Sequence, residues 1–222
     1  FYVNRASLSL AMVRNVTSTL NNFTIINNFY GGGCLGTVNG TITSTLNNCT
    51  VLGNVFGGGY SVEIPVCDVY PTVAPTFPAY DGNTGTFSSA ILPTPTKHTW
   101  SNLGSTSNPF TTNENGNWIF TNVDFSNLGK VSGNTIVTVT GASRIDGALF
   151  GGGDESMVTG NTSVTVSTAQ TYKISTVYGG GNIANVGGST VVNVNNGLID
   201  NVFGGGNNAD IGGNTSVRVL DG

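Results

Sequence analysis

The chain is poor in charge and in long apolar runs, and each shortage excludes a class of protein. Only 8% of the 222 residues are charged, with seven Lys and Arg against eleven Asp and Glu. The basic residues are scattered and form no clustered basic face, so we predict no nucleic-acid partner. No apolar run reaches about 18 residues, so we predict no membrane-spanning helix and no membrane insertion.

Side chains that carry chemistry are also scarce. The three cysteines, Cys34, Cys49 and Cys67, form no C-x-x-C pair, which removes the usual zinc and redox motifs. One disulfide with a free thiol and three reduced residues both remain open. The single histidine, His98, has no evident Ser or Cys partner, which disfavours a nucleophilic triad.

Glycine is abundant, and it is organised. The triplet Gly-Gly-Gly occurs five times, and its starts are separated by 57−31 = 26, 151−57 = 94, 179−151 = 28 and 204−179 = 25 residues. Each triplet directly follows an aromatic residue. These residues are Tyr30, Phe56, Phe150, Tyr178 and Phe203. A period in this range indicates a repeat architecture, in which one unit buries its apolar face only against its neighbours.

Each repeat contains two strand signals joined by glycine-rich corners. The first signal is GNTIVTV at 133–139, with GNTSVTV, GSTVVNV and GNTSVRV in later copies and Ser18 and Ser44 replacing a Val in the early ones. Strict alternation of β-branched residues is typical of a strand. The sequence therefore predicts an all-β parallel β-solenoid of about 25 residues per coil, with an aromatic ladder at the five positions before the triplets.

Three further expectations concern the ladders. We expect the triplet glycines to adopt positive φ at a sharp corner and to allow close approach of neighbouring coils. Thr135, Thr162, Thr190 and Thr215 share the parity of the apolar residues. We therefore expect them inside or at a corner, which disfavours an ice-binding array. Asn182 and Asn207 follow their triplets, and there we expect a ladder of side-chain hydrogen bonds.

The long interval contains an insertion. All seven prolines, both tryptophans and the histidine lie between Gly59 and Lys130. We predict solenoid coils over 1–59, a loop-rich Pro/aromatic excursion over 60–129, with short strands at 117–125 and around 97–103, and further coils of the same solenoid over 130–222. Tyr80, Trp100 and Trp118 provide either a partner surface for glycan or host protein or the excursion's own small core.

The motif V-[FY]-GGG-N-x-A-x-[IV]-x-G-N-T-x-V-x-V, clearest in 177–194 and 202–219, resembles large secreted glycine-triplet repeat surface proteins of gut Bacteroidales bacteria. Segments of the insertion, including IPVCDVYPT at 64–72, resemble parts of the same proteins. The resemblance covers most of the chain. It implies a location at the bacterial cell surface or outside the cell, and a long parent chain.

Few residues in the sequence suggest a catalytic or metal site. Asp146 and Asp200 precede their triplets on a common side, where we expect them near one another as solvated acids and not as a catalytic pair. Asp154 and Glu155 are the only candidates for a calcium site. We predict no cofactor.

The sequence begins and ends within a repeat, which predicts self-association end to end or membership of a longer array. The leading prediction is a non-enzymatic extracellular structural and interaction protein, a rigid segment of a surface fibre or filament. The alternative is an adhesin module that binds glycan or host protein through the insertion. A polysaccharide-active β-helix enzyme is the third possibility.

Overall fold

The computed structural model describes residues 12–61 and 128–221, together with four short strands at 67–69, 96–98, 110–112 and 118–120. All the secondary-structure elements in these ranges are β-strands, and the parallel strands stack as a β-solenoid of about five coils. The predicted fold class is confirmed. Two compact units divide the chain: one joins Ala6–Glu63 to Ser126–Gly222, and the other joins Phe1–Arg5 to Ile64–Phe125.

The strands are numbered in chain order. The solenoid contains β1 (Met12–Val13), β2 (Val16–Asn21), β3 (Thr24–Ile25), β4 (Phe29–Tyr30), β5 (Thr37–Val38), β6 (Ile42–Asn47), β7 (Thr50–Val51), β8 (Val55–Phe56), β13 (Thr135–Gly141), β14 (Arg144–Phe150), β15 (Thr162–Thr168), β16 (Lys173–Tyr178), β17 (Thr190–Asn196), β18 (Leu198–Phe203) and β19 (Thr215–Val219). The second unit contains β9 (Cys67–Val69), β10 (Thr96–His98), β11 (Phe110–Thr112) and β12 (Trp118–Phe120).

The first sheet is made from the alternating Thr/Val strands. Its six strands run parallel in the order β19-β17-β15-β13-β6-β2. The repeats align residue by residue, so that Thr162 lies beside both Thr135 and Thr190. Strand β6 pairs directly with β13, so the 94-residue interval is one coil interrupted by the insertion.

The second sheet contains the strands that end in the triplets, in the order β18-β16-β14-β7-β3, with β4 and β8 continuing β3 and β7. A short third side closes each coil through single parallel bridges. These bridges join Val38, Val131, Val158, Val186 and Ile211. They are the apolar residues that precede the glycine turns in the sequence.

The core lies between the two sheets and behind the third side. Inward valines such as Val137, Val164 and Val192 are at most 1% exposed. Burying one such side chain contributes about 1.5–3 kcal/mol. Thr135, Thr162 and Thr190 are buried in the same columns, as their parity predicted, whereas Thr215 on the last strand is exposed.

The triplet glycines are required by close approach and not by backbone conformation. A Cβ on Gly152 would lie 2.7 Å from the amide nitrogen of Gly181, and one on Gly58 would lie 2.7 Å from that of Gly153. Among the described residues, positive φ occurs at three glycines outside the triplets, Gly129, Gly141 and Gly197. The expectation of positive φ within the triplets was wrong, since each triplet turns with ordinary φ and only lacks room for a side chain.

Positive φ recurs instead at the corner between the two sheets, and it also occurs at Leu35 just after the first triplet, with φ of 64°. Asn22, Asn48 and Gly141 occupy equivalent places there with φ of 55°, 52° and 67°. Asparagine tolerates this region better than most residues because its short side chain bonds locally. Asn48 donates to Asn22 across 3.2 Å and accepts from the amide of Ala142 at 2.8 Å. The corner is therefore held by side chains as well as by the backbone.

The second unit contains two antiparallel pairs, β9 with β10 and β11 with β12. The predicted strand at 117–125 corresponds to β12, and the segment around 97–103 overlaps the end of β10. Tyr80 and Trp100 lie outside the described residues. The side chains of Trp118 and His98 also lie outside what is described.

Candidate functional site

One corner of the solenoid brings carboxylate, phenol and amide groups together. It follows the triplets, where the equivalent positions are Cys34, Tyr60, Asp154, Asn182 and Asn207. The triplets hold this corner because their missing side chains let successive coils approach closely. We call these five positions the corner column.

Asp154 is the centre of the corner column. Its Oδ1 accepts a hydrogen bond from Asn182 Nδ2 at 2.8 Å, and its Oδ2 accepts one from the Tyr30 hydroxyl at 3.2 Å. Asn207 Nδ2 donates to Asn182 Oδ1 at 3.0 Å, and the Tyr178 hydroxyl donates to Asn207 Oδ1 at 3.3 Å. The amide ladder expected from the sequence is therefore present, with Asp154 as one of its members.

This geometry fits a hydrogen-bond ladder better than a calcium site. Both oxygens of Asp154 already accept from protein donors, whereas a calcium ion needs six to eight free oxygen ligands. Glu155 is exposed beside it. Among the described residues, no three His, Cys, Asp or Glu side chains come together as a metal site.

Tyr30 contributes a titratable group to the corner. Burial raises the pKa of its phenol above the usual value. The hydrogen bond that Asn28 Nδ2 donates to the hydroxyl oxygen lowers that pKa, and the negative charge of Asp154 raises it again. The neutral phenol is therefore the form that this contact stabilises.

The five aromatic residues before the triplets form one stack beside the corner column. Ring centroids are 4.9 Å apart for Tyr30 and Phe56, 5.0 Å for Phe56 and Phe150, 4.8 Å for Phe150 and Tyr178, and 5.0 Å for Tyr178 and Phe203. This spacing matches the rise of about 4.7–4.9 Å between paired strands. The inner rings thus cover one another and offer no open face to a ligand.

Asp146 and Asp200 are not brought together as a catalytic pair. They lie on β14 and β18, which β16 separates. Each has its own cation: Arg144 Nη2 is 2.9 Å from Asp146 Oδ2, and Lys173 Nζ is 2.6 Å from Asp200 Oδ2. Each carboxylate therefore lies in its own exposed ion pair, and the two do not flank a common site as the carboxylates of a glycoside hydrolase do.

Cys34 and Cys49 are free thiols, the first exposed and the second buried. Cys49 Sγ lies 3.4 Å from the carbonyl oxygens of Leu20 and Asn47, which gives this thiol local partners. The side chain of Cys67 lies outside the described residues. These contacts of the Cys49 thiol are therefore with backbone carbonyls and not with the cationic groups that activate a thiol.

The sequence pattern did not reveal what the buried threonines do. Thr135 Oγ1 donates to the carbonyl of Gly151, the first triplet glycine of its own coil, at 2.6 Å. Thr162 and Thr190 bond in the same way to Gly179 and Gly204. The sequence does contain a signal for these hydrogen bonds, because a triplet follows each of these Thr residues at a nearly fixed separation along the chain.

Comparison of the chain with protein-family models, with curated proteins and with solved structures found no match in any of the three. The part of the chain that the structure describes has no helix with the length and apolarity needed to cross a membrane.

Proposed function

We propose that this chain is a rigid segment of an extracellular structural and interaction protein, a β-solenoid rod within a bacterial surface fibre or filament, and that it is not an enzyme. The observation that carries the proposal is the continuity of its ladders. Backbone pairing, aromatic stacking and side-chain amide bonds all run from coil to coil in one register. Such a stack behaves as a one-dimensional array in which each coil stabilises the next.

We further propose that the rod extends along its axis. Phe203 and Val219 in the last described coils are 47% and 57% exposed, whereas Val194, which pairs with Val219, is 2% exposed. Gly205 has nothing within 4 Å of a Cβ built upon it, whereas the equivalent Gly180 has the backbone of Gly206 at 2.8 Å. A further coil, from a continuing chain or from a second copy, would cover this surface in the same way.

Gly205→Ala tests axial extension without disturbing the fold. The added methyl group meets nothing inside the chain, but it would block a coil stacked on the triplet. We expect small-angle scattering and negative-stain images of the wild-type chain to show particles that lengthen with concentration. Gly205→Ala should keep the melting temperature and stop the lengthening. Wild-type particles of constant length, or lengthening that Gly205→Ala leaves unchanged, would contradict axial extension by a second copy.

A second candidate function is an adhesin that binds glycan or host protein through the insertion. The observation in its favour is that Ile64–Phe125 forms a compact unit together with Phe1–Arg5. Tyr80, Trp100 and Trp118 belong to that stretch of sequence. A glycan array should be probed with the full chain and with a variant in which a short turn replaces 60–129. Equal binding by the two proteins would exclude the insertion as the binding element.

A further inference from the structure

The outward surface of the first sheet differs from the rest of the solenoid because it carries no charge over five strands. Every second residue of β2, β6, β13, β15 and β17 points away from the core, as the alternating burial shows. In the first four of these strands the outward residues are nine Ser or Thr, two Asn and one Ile. We call this surface the hydroxyl face.

The hydroxyl face is periodic as well as neutral. Thr19, Thr45, Thr138 and Thr165 form a single column, since each pairs in register with the next. Successive members are about 4.7–4.9 Å apart, and outward neighbours along one strand are about 6.5–7 Å apart. Threonine side chains are restricted at χ1, so the column presents methyl and hydroxyl groups in a regular order.

The other surfaces carry the ionised groups. The second sheet presents the Arg144–Asp146 and Lys173–Asp200 pairs, and the triplet corner presents Asp154 and Glu155. Covering those surfaces would remove charges from water, which is unfavourable unless each ion finds a new partner. Covering the hydroxyl face on β2, β6, β13, β15 and β17 removes no charge from water. Arg218 on β19 is the first charged residue in the sheet.

We propose that the hydroxyl face is a lateral interface at which a second copy of this chain packs sheet against sheet. A second solenoid has the same coil spacing and the same neutral columns, so the two faces remain matched along their whole length. Sheets pack face to face about 10 Å apart. Dry interfaces between two sheets are typically formed by in-register strands that have high β-propensity, little charge and no proline. No outward residue of these five strands is aromatic, so a sugar ring would find no platform there.

The area of the face determines the strength of the pairing. Five strands at about 4.8 Å and six residues at about 3.3 Å give a face of about 24 by 20 Å, or about 480 Å². A standard interface buries about 800 Å² per partner. Single chains should therefore pair weakly, and rods extended along the axis should pair more strongly. The stronger pairing of extended rods rests on the proposed axial assembly, whereas the pairing of single chains through the hydroxyl face does not.

Thr165→Lys and Ser175→Lys form a matched pair of variants for the test. Both add one positive charge to the same coil, the first on the hydroxyl face and the second on the outward surface of β16. A twofold interface repeats each substitution, so Thr165→Lys places two like charges in the interface. We expect pairing to weaken by about tenfold or more for Thr165→Lys and to be unchanged for Ser175→Lys. High salt should partly restore the first variant and leave the wild type unaffected.

The measurement is small-angle scattering of the full chain up to millimolar concentration, with circular dichroism to confirm that both variants fold. The cross-sectional radius of gyration reports lateral pairing, and particle length reports axial extension. Thickening that Thr165→Lys abolishes and Ser175→Lys retains supports the proposal. Thickening without lengthening also supports it, while contradicting axial extension.

Other outcomes would overturn the lateral interface. Lengthening without thickening would leave only axial extension, and thickening that Thr165→Lys does not change would place the contact on another surface. Retention on a neutral polysaccharide resin that Thr165→Lys abolishes, in particles of single thickness, would assign the hydroxyl face to a glycan instead of a second copy.

Discussion

The middle glycine of each triplet has a chemically identical position in every coil but a different environment, which permits a controlled test of what the triplets do. A Cβ on Gly152 would lie 2.7 Å from Gly181 N and 2.8 Å from Gly181 Cα. Both contacts are to backbone, which the ladders on either side hold in place. A Cβ on Gly205 meets nothing within 4 Å. The same substitution should therefore be severe at one position and neutral at the other.

We expect Gly152→Ala to lower the free energy of unfolding by about 3 kcal/mol. This is the upper end of the range for overpacking, because no flexible side chain can move aside for the new methyl group. For a protein of this size that corresponds to a fall of about 6–12 °C in melting temperature. Gly205→Ala should change the melting temperature by less than about 2 °C. Neither glycine has positive φ, so backbone strain does not distinguish them.

Thermal unfolding followed by circular dichroism, with hydrogen exchange at the Gly152 amide, is the appropriate assay. That amide donates to the carbonyl of Gly180 at 3.0 Å, so Gly152→Ala should also increase exchange in the coil above. Equal melting temperatures for the two variants would refute close approach as the reason for the triplets. A large loss in both would point instead to a conformational demand common to all triplet positions.

Three other predictions concern single contacts. Thr135→Val should lower the free energy of unfolding by about 1–3 kcal/mol because the Gly151 carbonyl loses its donor. Ser44→Ala should raise it by up to about 1 kcal/mol because the buried Ser44 hydroxyl has no partner. Urea unfolding measures both changes, and the same sign for both would contradict these roles of the two hydroxyl groups. The raised pKa of Tyr30 means that the folded state holds the phenol proton more tightly than the unfolded state. Its stabilisation is present below about pH 10 and is lost as the pH rises through the folded value; alkaline unfolding should show this loss in the wild type and a smaller one in Tyr30→Phe. Calcium at millimolar concentration should leave the melting temperature unchanged, and a rise that Asp154→Ala abolishes would show that the ion displaces both hydrogen-bond donors.

The sequence predicted the features of the fold that depend on period. Alternation of Val and Thr identified the inward columns, and the aromatic residue before each triplet marked the stack from Tyr30 to Phe203. The physical role of the triplet was only half predicted, because composition cannot distinguish a glycine chosen for positive φ from one chosen for close approach. Only the distance between coils, as at Gly58 and Gly153, separates the two.

The candidate site was less accessible from the sequence because its contacts skip a coil. Tyr30 and Asp154 are 124 residues apart, and the coil between them contributes Tyr60 at the corner. Aligning neighbouring repeats pairs Asp154 with Tyr60 and with Asn182, so a contact that bypasses one repeat does not appear. The interruption by the insertion made that comparison harder still. Asn182 and Asn207, in adjacent and uninterrupted coils, were identified without difficulty.

The position of the insertion follows from the way in which the stack sets its own register. Strands β6 and β13 pair over six residues, and β8 pairs with β14. These pairs join residues before the insertion directly to residues after it. Closing a flexible loop costs about 0.6 kcal/mol for each doubling of its length. Four residues separate Gly153 from the bridged Val158, whereas 71 separate Gly59 from Val131 in the interrupted coil. That is about four doublings, or about 2.5 kcal/mol, which is comparable to burying one valine. The solenoid can therefore carry a large insertion at this corner while its ladders keep one register.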